Sequence, residues 1–329
     1  MLPLLTVIVP AHNAARTIVR AVDSILIQGS NKARIIIIDD ASDDDTGTII
    51  RTTYAKEIDK GAITLLTMQR NGGPAAARQL GMDSVKTPYL TFLDADDRYE
   101  RDDALTIMTE QIRRTEPDML MFNYIMDYGN VSIRKGYKPP EGSIMSGSEA
   151  LADKIRRENN IWHYVWNKCY RTAVIREHGI AFRTELRVAE DVRFNDDFLQ
   201  YARTVTHVDE YLYRYDYTNA ASLANRAAAR KMTIDELEQW WNSSCERCDR
   251  LSKMAPALIG TLHHRLCLNM LTISDRATKE DRKELTARMK ASAHYEKVEQ
   301  HLPSARLSFA MMKVRSRLRQ AVKRLIVRP

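Results

Sequence analysis

Apolar runs and helix-patterned segments alternate through the first hundred residues, and that alternation admits few folds. Leu4–Val9 is an apolar run stopped at Pro10, and Ala14–Gln28 follows with Ile18, Ala21, Val22, Ile25 and Leu26 at helical spacing. The run Arg34–Ile38 has the β-branched character of a strand buried on both faces. A turn over Ser42–Thr46 with N-cap chemistry opens a helix to about Tyr54, and Ile63–Met68 is the next strand. A Gly-Gly-Pro turn then leads into a helix over Pro74–Ser84, followed by strand Tyr89–Leu93. Such an order implies right-handed crossovers and a mostly parallel, Rossmann-like sheet with helices on both faces. Ligands of such sheets bind beyond the carboxyl ends of the strands, so the residues found there are the first candidates for function.

Those ends are acidic. In FLDADD, Asp94, Ala95, Asp96 and Asp97 follow an apolar strand, and an extended chain would turn Asp94 and Asp96 to the same side. Carboxylates without a basic neighbour raise one another's proton affinity, and a hard divalent cation relieves this while leaving coordination positions for phosphate oxygens. The alternative is an acidic cap on the next helix. In IIIIDDASDDDT, Ser42, Asp43 and Thr46 can satisfy the cap, which leaves Asp40 free to face a crevice. In NGGPAAARQLGM, Gly72 and Gly73 suit a close backbone approach, the first helical turn offers free N–H groups to an anion, and Arg78 can reach the same crevice.

Beyond Asp102 the pattern is mixed, with a helix over Asp102–Arg114, a strand over Met119–Tyr124 and a Gly- and Pro-rich hairpin or loop through Gly136–Gly147. After about Ala220 the chain reads as helical, mainly over Lys231–Met254, Ala257–Ser274 and Lys279–Glu299. The boundary is expected near Tyr217–Ala229, giving an α/β domain over 1–222, a helical domain over 223–303 and a basic amphipathic helix over 304–329. Cys245, Cys248, His263, His264 and Cys267 invite a zinc reading, but all fall in helical patterns without a loop to orient them, so buried thiols are expected instead.

Taken in order, TVIVPAHN, IIIIDDASDDDT, NGGPAAARQLGM and FLDADD over residues 6–97 resemble the family 2 glycosyltransferases of GT-A fold. WNKCYR at Trp166–Arg171 and AEDVRFN at Ala189–Asn195 look like later motifs of that family's bacterial cell-surface polysaccharide branch. The resemblance covers roughly residues 4–224 and implies a metal-dependent, inverting transfer of a sugar from a nucleotide-sugar, with a UDP-sugar expected. It implies that Pro10, Ala11 and Asn13 line the nucleotide crevice with Asn71 and Gly72, that Asp40 bonds the uracil or ribose, and that Arg78 contacts the base. Asp94 and Ala95 would meet ribose or donor sugar, and Asp96 would bind Mn²⁺ or Mg²⁺ against the diphosphate. Asp97 would only cap a helix, and Arg214 would close over the diphosphate. Of the Glu190-Asp191 pair, Asp191 is the expected general base and Glu190 an acceptor-side acid. Where relatives commonly carry an aromatic residue after Ala11, this chain has His12, which weakens or replaces a stacking contact. Trp162 and His163 are candidates for an acceptor platform, as is Trp166, whose other reading is core packing.

Composition narrows the partners. The 329 residues are 44% hydrophobic and 28% charged, which excludes a disordered or fibrous chain. Four cysteines make no disulfide framework. No basic leader precedes the first strand, and no run approaches about 18 apolar residues, so a cytoplasmic protein without a membrane span is expected. The net charge of +7 comes from the tail, where eight Lys or Arg and no acid follow Ser304. Leu307, Met311, Val314, Leu318, Ala321, Val322 and Leu325 share one helical arc there, which suits the surface of an anionic membrane better than nucleic acid. That places the protein peripherally on the inner face of the plasma membrane, near a glycan or polyprenyl-diphosphate-linked glycan acceptor. The same arc could instead dock on the helical domain. Two rival functions are a nucleotidyltransferase, which would carry a basic Gly-rich loop after the first strand where VIVPAHN has none, and a non-catalytic scaffold, which would not need Asp96 and Asp191.

Overall fold

The computed structural model describes residues 3–29, 31–138, 143–157, 160–185, 189–219 and 232–326. The chain divides into two compact units, one of residues 1–151 and 159–222, the other of residues 152–158 and 223–329. The expected boundary falls largely in residues 220–231, which lie outside the described residues.

The first unit begins β1 (Leu5–Ala11), α1 (Ile18–Leu26), β2 (Ala33–Asp39), α2 (Thr46–Thr53), α3 (Ala55–Asp59), β3 (Ile63–Thr67), α4 (Gly73–Asp83) and β4 (Tyr89–Phe92). It continues through β5 (Arg98–Tyr99), α5 (Ala104–Thr115), β6 (Met119–Asp127), β7 (Ser132–Lys135) and α6 (Gly147–Arg156), whose last turns belong to the second unit. Then come β8 (Lys168–Arg171), α7 (Thr172–Glu177), α8 (Glu190–Tyr201) and β9 (Val205–Asp216). The strands make a nine-stranded sheet in the order β3-β2-β1-β4-β8-β6-β9-β5, with β7 on β6. The half from β3 to β4 is parallel throughout, while β8 enters antiparallel between β4 and β6. This is the α/β arrangement with a helix-flanked parallel half that the strand–helix alternation implies.

Ile35, Ile36, Ile37 and Ile38 are all buried, and since neighbours on a strand point to opposite faces, both faces of β2 are covered. Gly81 sets how closely α4 lies on the sheet. A Cβ there would stand 2.5 Å from Ile8 Cγ2 and 2.7 Å from Ile38 Cδ1, so only glycine permits the approach. Arg78, one turn earlier on α4, is thereby held over the ends of the strands.

Two local expectations fail for one reason. Residues 14–17 form a turn rather than the start of α1, because the Ala14 and Ala15 N–H groups donate to Thr46 Oγ1 (2.8 Å) and Asp44 Oδ2 (3.1 Å). Ser42 and Thr46 accordingly do not cap α2. Ser42 Oγ accepts from Asn13 N (3.0 Å), and both hydroxyls hold the loop after β1 instead.

The second unit contains helices Ile234–Met254, Ile259–Arg276, Asp281–Lys290, Tyr295–Glu299 and Leu302–Ile326. The first of them opens on a capping box between Thr233 and Glu236. The single helix expected over Lys279–Glu299 is broken at 291–294, where Ser292 Oγ accepts from His294 N (3.1 Å). Cys245, Cys248 and Cys267 are buried free thiols on these helices. Among the described residues, no helix is long and apolar enough to cross a membrane.

Candidate active site

Three segments meet beyond the carboxyl end of β4, and Arg78 of α4 is the side chain that joins them. Its Nη2 donates to Asp94 Oδ1 (2.8 Å), and its Nη1 to Asp191 Oδ1 (2.9 Å) and Glu190 Oε1 (3.3 Å). The guanidinium is almost fully buried, and the three carboxylates stay partly open. One cation thus faces three acids, at a point where solvent and ligand can still reach the acids. Arg78 here meets three carboxylates of the protein itself, where the sequence reading set it against a base.

Asp191 gains most from the arrangement chemically. Burial pushes its carboxyl up to about 7; the Arg78 guanidinium opposes that, Glu190 and Asp94 reinforce it, and Lys168 opposes it again. A carboxylate poised there can accept a proton near neutral pH. Its position is fixed from behind: Asn195 Nδ2, one turn along α8, donates to Asp191 O (2.9 Å) and His163 O (2.8 Å), while Asn195 Oδ1 accepts from Tyr170 OH (2.8 Å). Lys168 is fully buried beneath the same loop, and its ammonium donates to Ile161 O (2.8 Å), Asn167 Oδ1 (2.7 Å) and Tyr164 O. The motifs WNKCYR and AEDVRFN therefore interlock physically.

The chain does not remain extended through FLDADD. Asp97 N donates to Asp94 O (3.0 Å), a turn that sends Asp94 to Arg78 and Asp96 elsewhere. Asp96 Oδ2 accepts from Asn219 Nδ2 (3.0 Å), and its backbone carbonyl accepts from Arg20 Nη2 (2.5 Å). Arg20 also pairs with Asp216 (2.7 Å). No side-chain cation pairs with the Asp96 carboxylate among the described residues, and burial followed by the charge of Asp94 pushes it up to about 6. That is the chemistry a hard divalent cation relieves, with one protein oxygen and the other positions left to phosphate and water. Among the described residues no three His, Cys, Asp or Glu side chains converge that could hold a metal ion. Ala95, between the two acids, is buried.

Asp97 does not cap a helix as expected. It is buried, with Oδ2 accepting from Tyr213 OH (2.6 Å) and Oδ1 from Asp216 N (2.7 Å), while the same tyrosine oxygen accepts from Asp94 N (3.2 Å). Burial raises its carboxyl well above the usual range. Asp97 and Tyr213 together brace the turn that carries Asp94 and Asp96.

Asp40 is not the free carboxylate expected either. It is 2% exposed, and its two oxygens accept from Gly72 N (2.7 Å) and Gly73 N (2.8 Å). Pro74 has no N–H, and Asp40 thus takes the first two donors at the start of α4. Gly73 takes φ +80, which favours glycine. His12 and Asn71 complete this turn. Asn71 Oδ1 accepts from Gly73 N (3.0 Å), which orients its amide so that Nδ2 donates to His12 Nε2 (2.9 Å); His12 Nδ1–H in turn donates to Asp40 O (2.8 Å). The imidazole therefore ties strand ends together. Ala11 is buried at the end of β1 and Pro10 is half-buried beside it. Asn13, at φ 52, accepts from Asp43 N (2.8 Å).

Two further expectations meet a different environment. Arg214 donates to both oxygens of Glu100, to Asp127 (3.0 Å) and to Ser132 Oγ (2.9 Å), so it braces β9 against its neighbours, where the sequence reading set it over a diphosphate. Trp162 is fully buried edge-on to Tyr137, and Trp166 stacks on Tyr213 at 4.3 Å, so neither ring presents a face to a sugar. His163 is half-buried and contributes its carbonyl to Asn195. Sequence reasoning missed Arg20, Asn195, Tyr213, Asp216 and Asn219. Asn195 at least stands in a quoted motif; Arg20 lies 196 residues from Asp216, and no local pattern marks it.

Comparisons with known proteins identify the family and the fold. The model of the family described as glycosyl transferase family 2 matches residues 6–179. The uncharacterized glycosyltransferase EpsJ of Bacillus subtilis (strain 168) is 30% identical over 220 residues, 65% of this chain and 61% of EpsJ. The poly(ribitol-phosphate) beta-N-acetylglucosaminyltransferase TarP of Staphylococcus aureus (strain N315) is 29% identical over 233 residues, 69% of this chain and 67% of TarP. The match thus spans about three fifths to two thirds of these relatives. Among solved structures, residues 1-349 of S. aureus TarS in complex with UDP-GlcNAc align with a TM-score of 0.60 at 16% identity, covering 93% of this chain and 91% of that one.

Proposed function

The chain belongs to glycosyl transferase family 2, and from that premise we propose that it transfers a sugar from a UDP-sugar, with inversion, to a hydroxyl of a glycan or polyprenyl-diphosphate-linked glycan in bacterial cell-surface polysaccharide synthesis. The observation that carries the reading is the Arg78 junction, which brings the acid at the end of β4 and the acids at the start of α8 to one side chain. The donor-side and acceptor-side groups of this reading would thereby meet at one guanidinium. The UDP-GlcNAc complex of TarS and the name of TarP support the choice of donor and of a cell-surface polymer as acceptor.

The acceptor hydroxyl would lie against Asp191, which takes its proton as the oxygen attacks the anomeric carbon. The bond from that carbon to the diphosphate oxygen breaks on the opposite face, and its electron pair leaves with the nucleoside diphosphate. One displacement inverts the centre and requires no covalent nucleophile on the protein. A Mn²⁺ or Mg²⁺ held by Asp96 would supply Lewis acidity that neutralises the departing diphosphate. Asp94, paired with Arg78, would meet donor hydroxyls. Asp97 and Tyr213 hold the turn still while charge shifts across it.

A thermal-shift panel of UDP-, GDP-, CDP- and dTDP-sugars, each with Mn²⁺ and with EDTA, tests this on the wild type and Asp96→Ala. Stabilisation by UDP-sugars that needs both metal and Asp96 is the expected result. Stabilisation by another nucleotide class overturns the donor assignment, and no stabilisation by any donor overturns the transferase reading in favour of a scaffold.

A further inference from the structure

The terminal helix Leu302–Ile326 carries one side that its own unit does not cover. Ala305 is 0% exposed, and Lys313 reaches Asp275 of helix Ile259–Arg276, so the helix is anchored along one side. Leu307, Met311 and Val314, spaced four and three apart and so aligned on another side, are 65%, 48% and 56% exposed. The sequence repeats the spacing beyond them at Leu318, Val322 and Leu325. Helix Leu302–Ile326 has 25 residues, a rod of about 37 Å. Its apolar side is therefore long, narrow and open where its side chains are described.

Charge decides what can cover it. No Asp or Glu occurs after Glu299, while eight Lys or Arg follow Ser304. A second copy of the same helix would bring two wholly basic surfaces together. Nucleic acid would answer the charge but leave the apolar stripe in water. An anionic phospholipid surface answers both at once, taking apolar side chains at the acyl boundary and basic ones among the headgroups. We infer that the helical unit docks on anionic membranes through Leu307, Met311, Val314 and the basic residues of this helix. The inference does not depend on the identity of donor or acceptor.

Co-sedimentation of the full chain with phosphatidylcholine vesicles, with and without phosphatidylglycerol, reads the docking directly. The wild type is expected to bind only vesicles containing phosphatidylglycerol and to be released by about 1 M salt, where the Debye length is about 3 Å. The triple variant Leu307→Gln, Met311→Gln, Val314→Gln is expected to bind them about tenfold more weakly with an unchanged circular dichroism spectrum. The basic pair Arg315→Gln, Arg319→Gln should weaken binding too, which keeps the test informative if the triple variant misfolds. Failure of the wild type to bind anionic vesicles overturns the inference. So does binding that neither variant weakens, a self-association that the triple variant abolishes while vesicles are ignored, or tight binding of an RNA duplex that the triple variant retains in the absence of any vesicle binding.

Discussion

Arg78 is the residue on which the site's electrostatics turn. Without it, Asp94, Glu190 and Asp191 would face one another with no counterion in contact, so Arg78→Ala is expected to cost about 3–5 kcal/mol in chemical denaturation. Arg78→Lys should recover only part of that, because an ammonium cannot reproduce the fork that spans the acids. Asp191 makes the complementary case. Asp191→Asn is expected to lower kcat by roughly 10²–10⁴ while leaving donor-induced thermal stabilisation intact, since the side chain is placed for the acceptor's proton. Wild-type kcat/KM should rise with pH through about 7. The same shift has a stability consequence of definite sign. The folded chain holds this proton to about pH 7 and an unfolded one only to about pH 4, so the stability is fully present below about pH 4 and is lost as pH rises to about 7. Asp191→Asn should flatten that stretch of the curve, measured as Tm against pH.

At the scale of the element, the close seat of α4 on the sheet is the controlling feature. Gly81→Ala would push Ile8 and Ile38 aside and move Arg78 with them, at a cost of about 1–3 kcal/mol and with a fall in transfer rate beyond what lost stability explains. Asp40→Ala would free two N–H groups of the glycine turn, costing about 1–3 kcal/mol in the same assay. The parallel half of the sheet was legible in sequence because its strands are short apolar runs separated by helical segments, and periodicity reports such elements directly. The acids at β2, β4 and α8 were legible as candidates for the same reason. Their partners were not. Asp97 meets Tyr213 across 116 residues and Arg78 meets Asp191 across 113, so whether an acid caps a helix or braces a distant strand is decided by topology that no local window contains. Trp162 and Arg214 misled similarly, since an aromatic ring or a guanidinium looks available until its packing partners are known.

For the whole molecule, order of synthesis matters as much as final order in space. β4 is central in the finished sheet, between β1 and β8, and all four of its residues are buried. Yet β1 to β4 leave the ribosome together, whereas β8 begins at Lys168, after everything from Leu93 to Asn167 has been added. At roughly 5–20 residues per second the nascent chain shows an unpaired, apolar strand edge for several seconds. During that interval it is a client for chaperones, and a ribosome stalled before Asn167 would release a sticky half-sheet. Expressed as a fragment ending at Ser146, the protein should pellet on lysis, and co-expressed trigger factor or a similar holdase should delay that loss without preventing it.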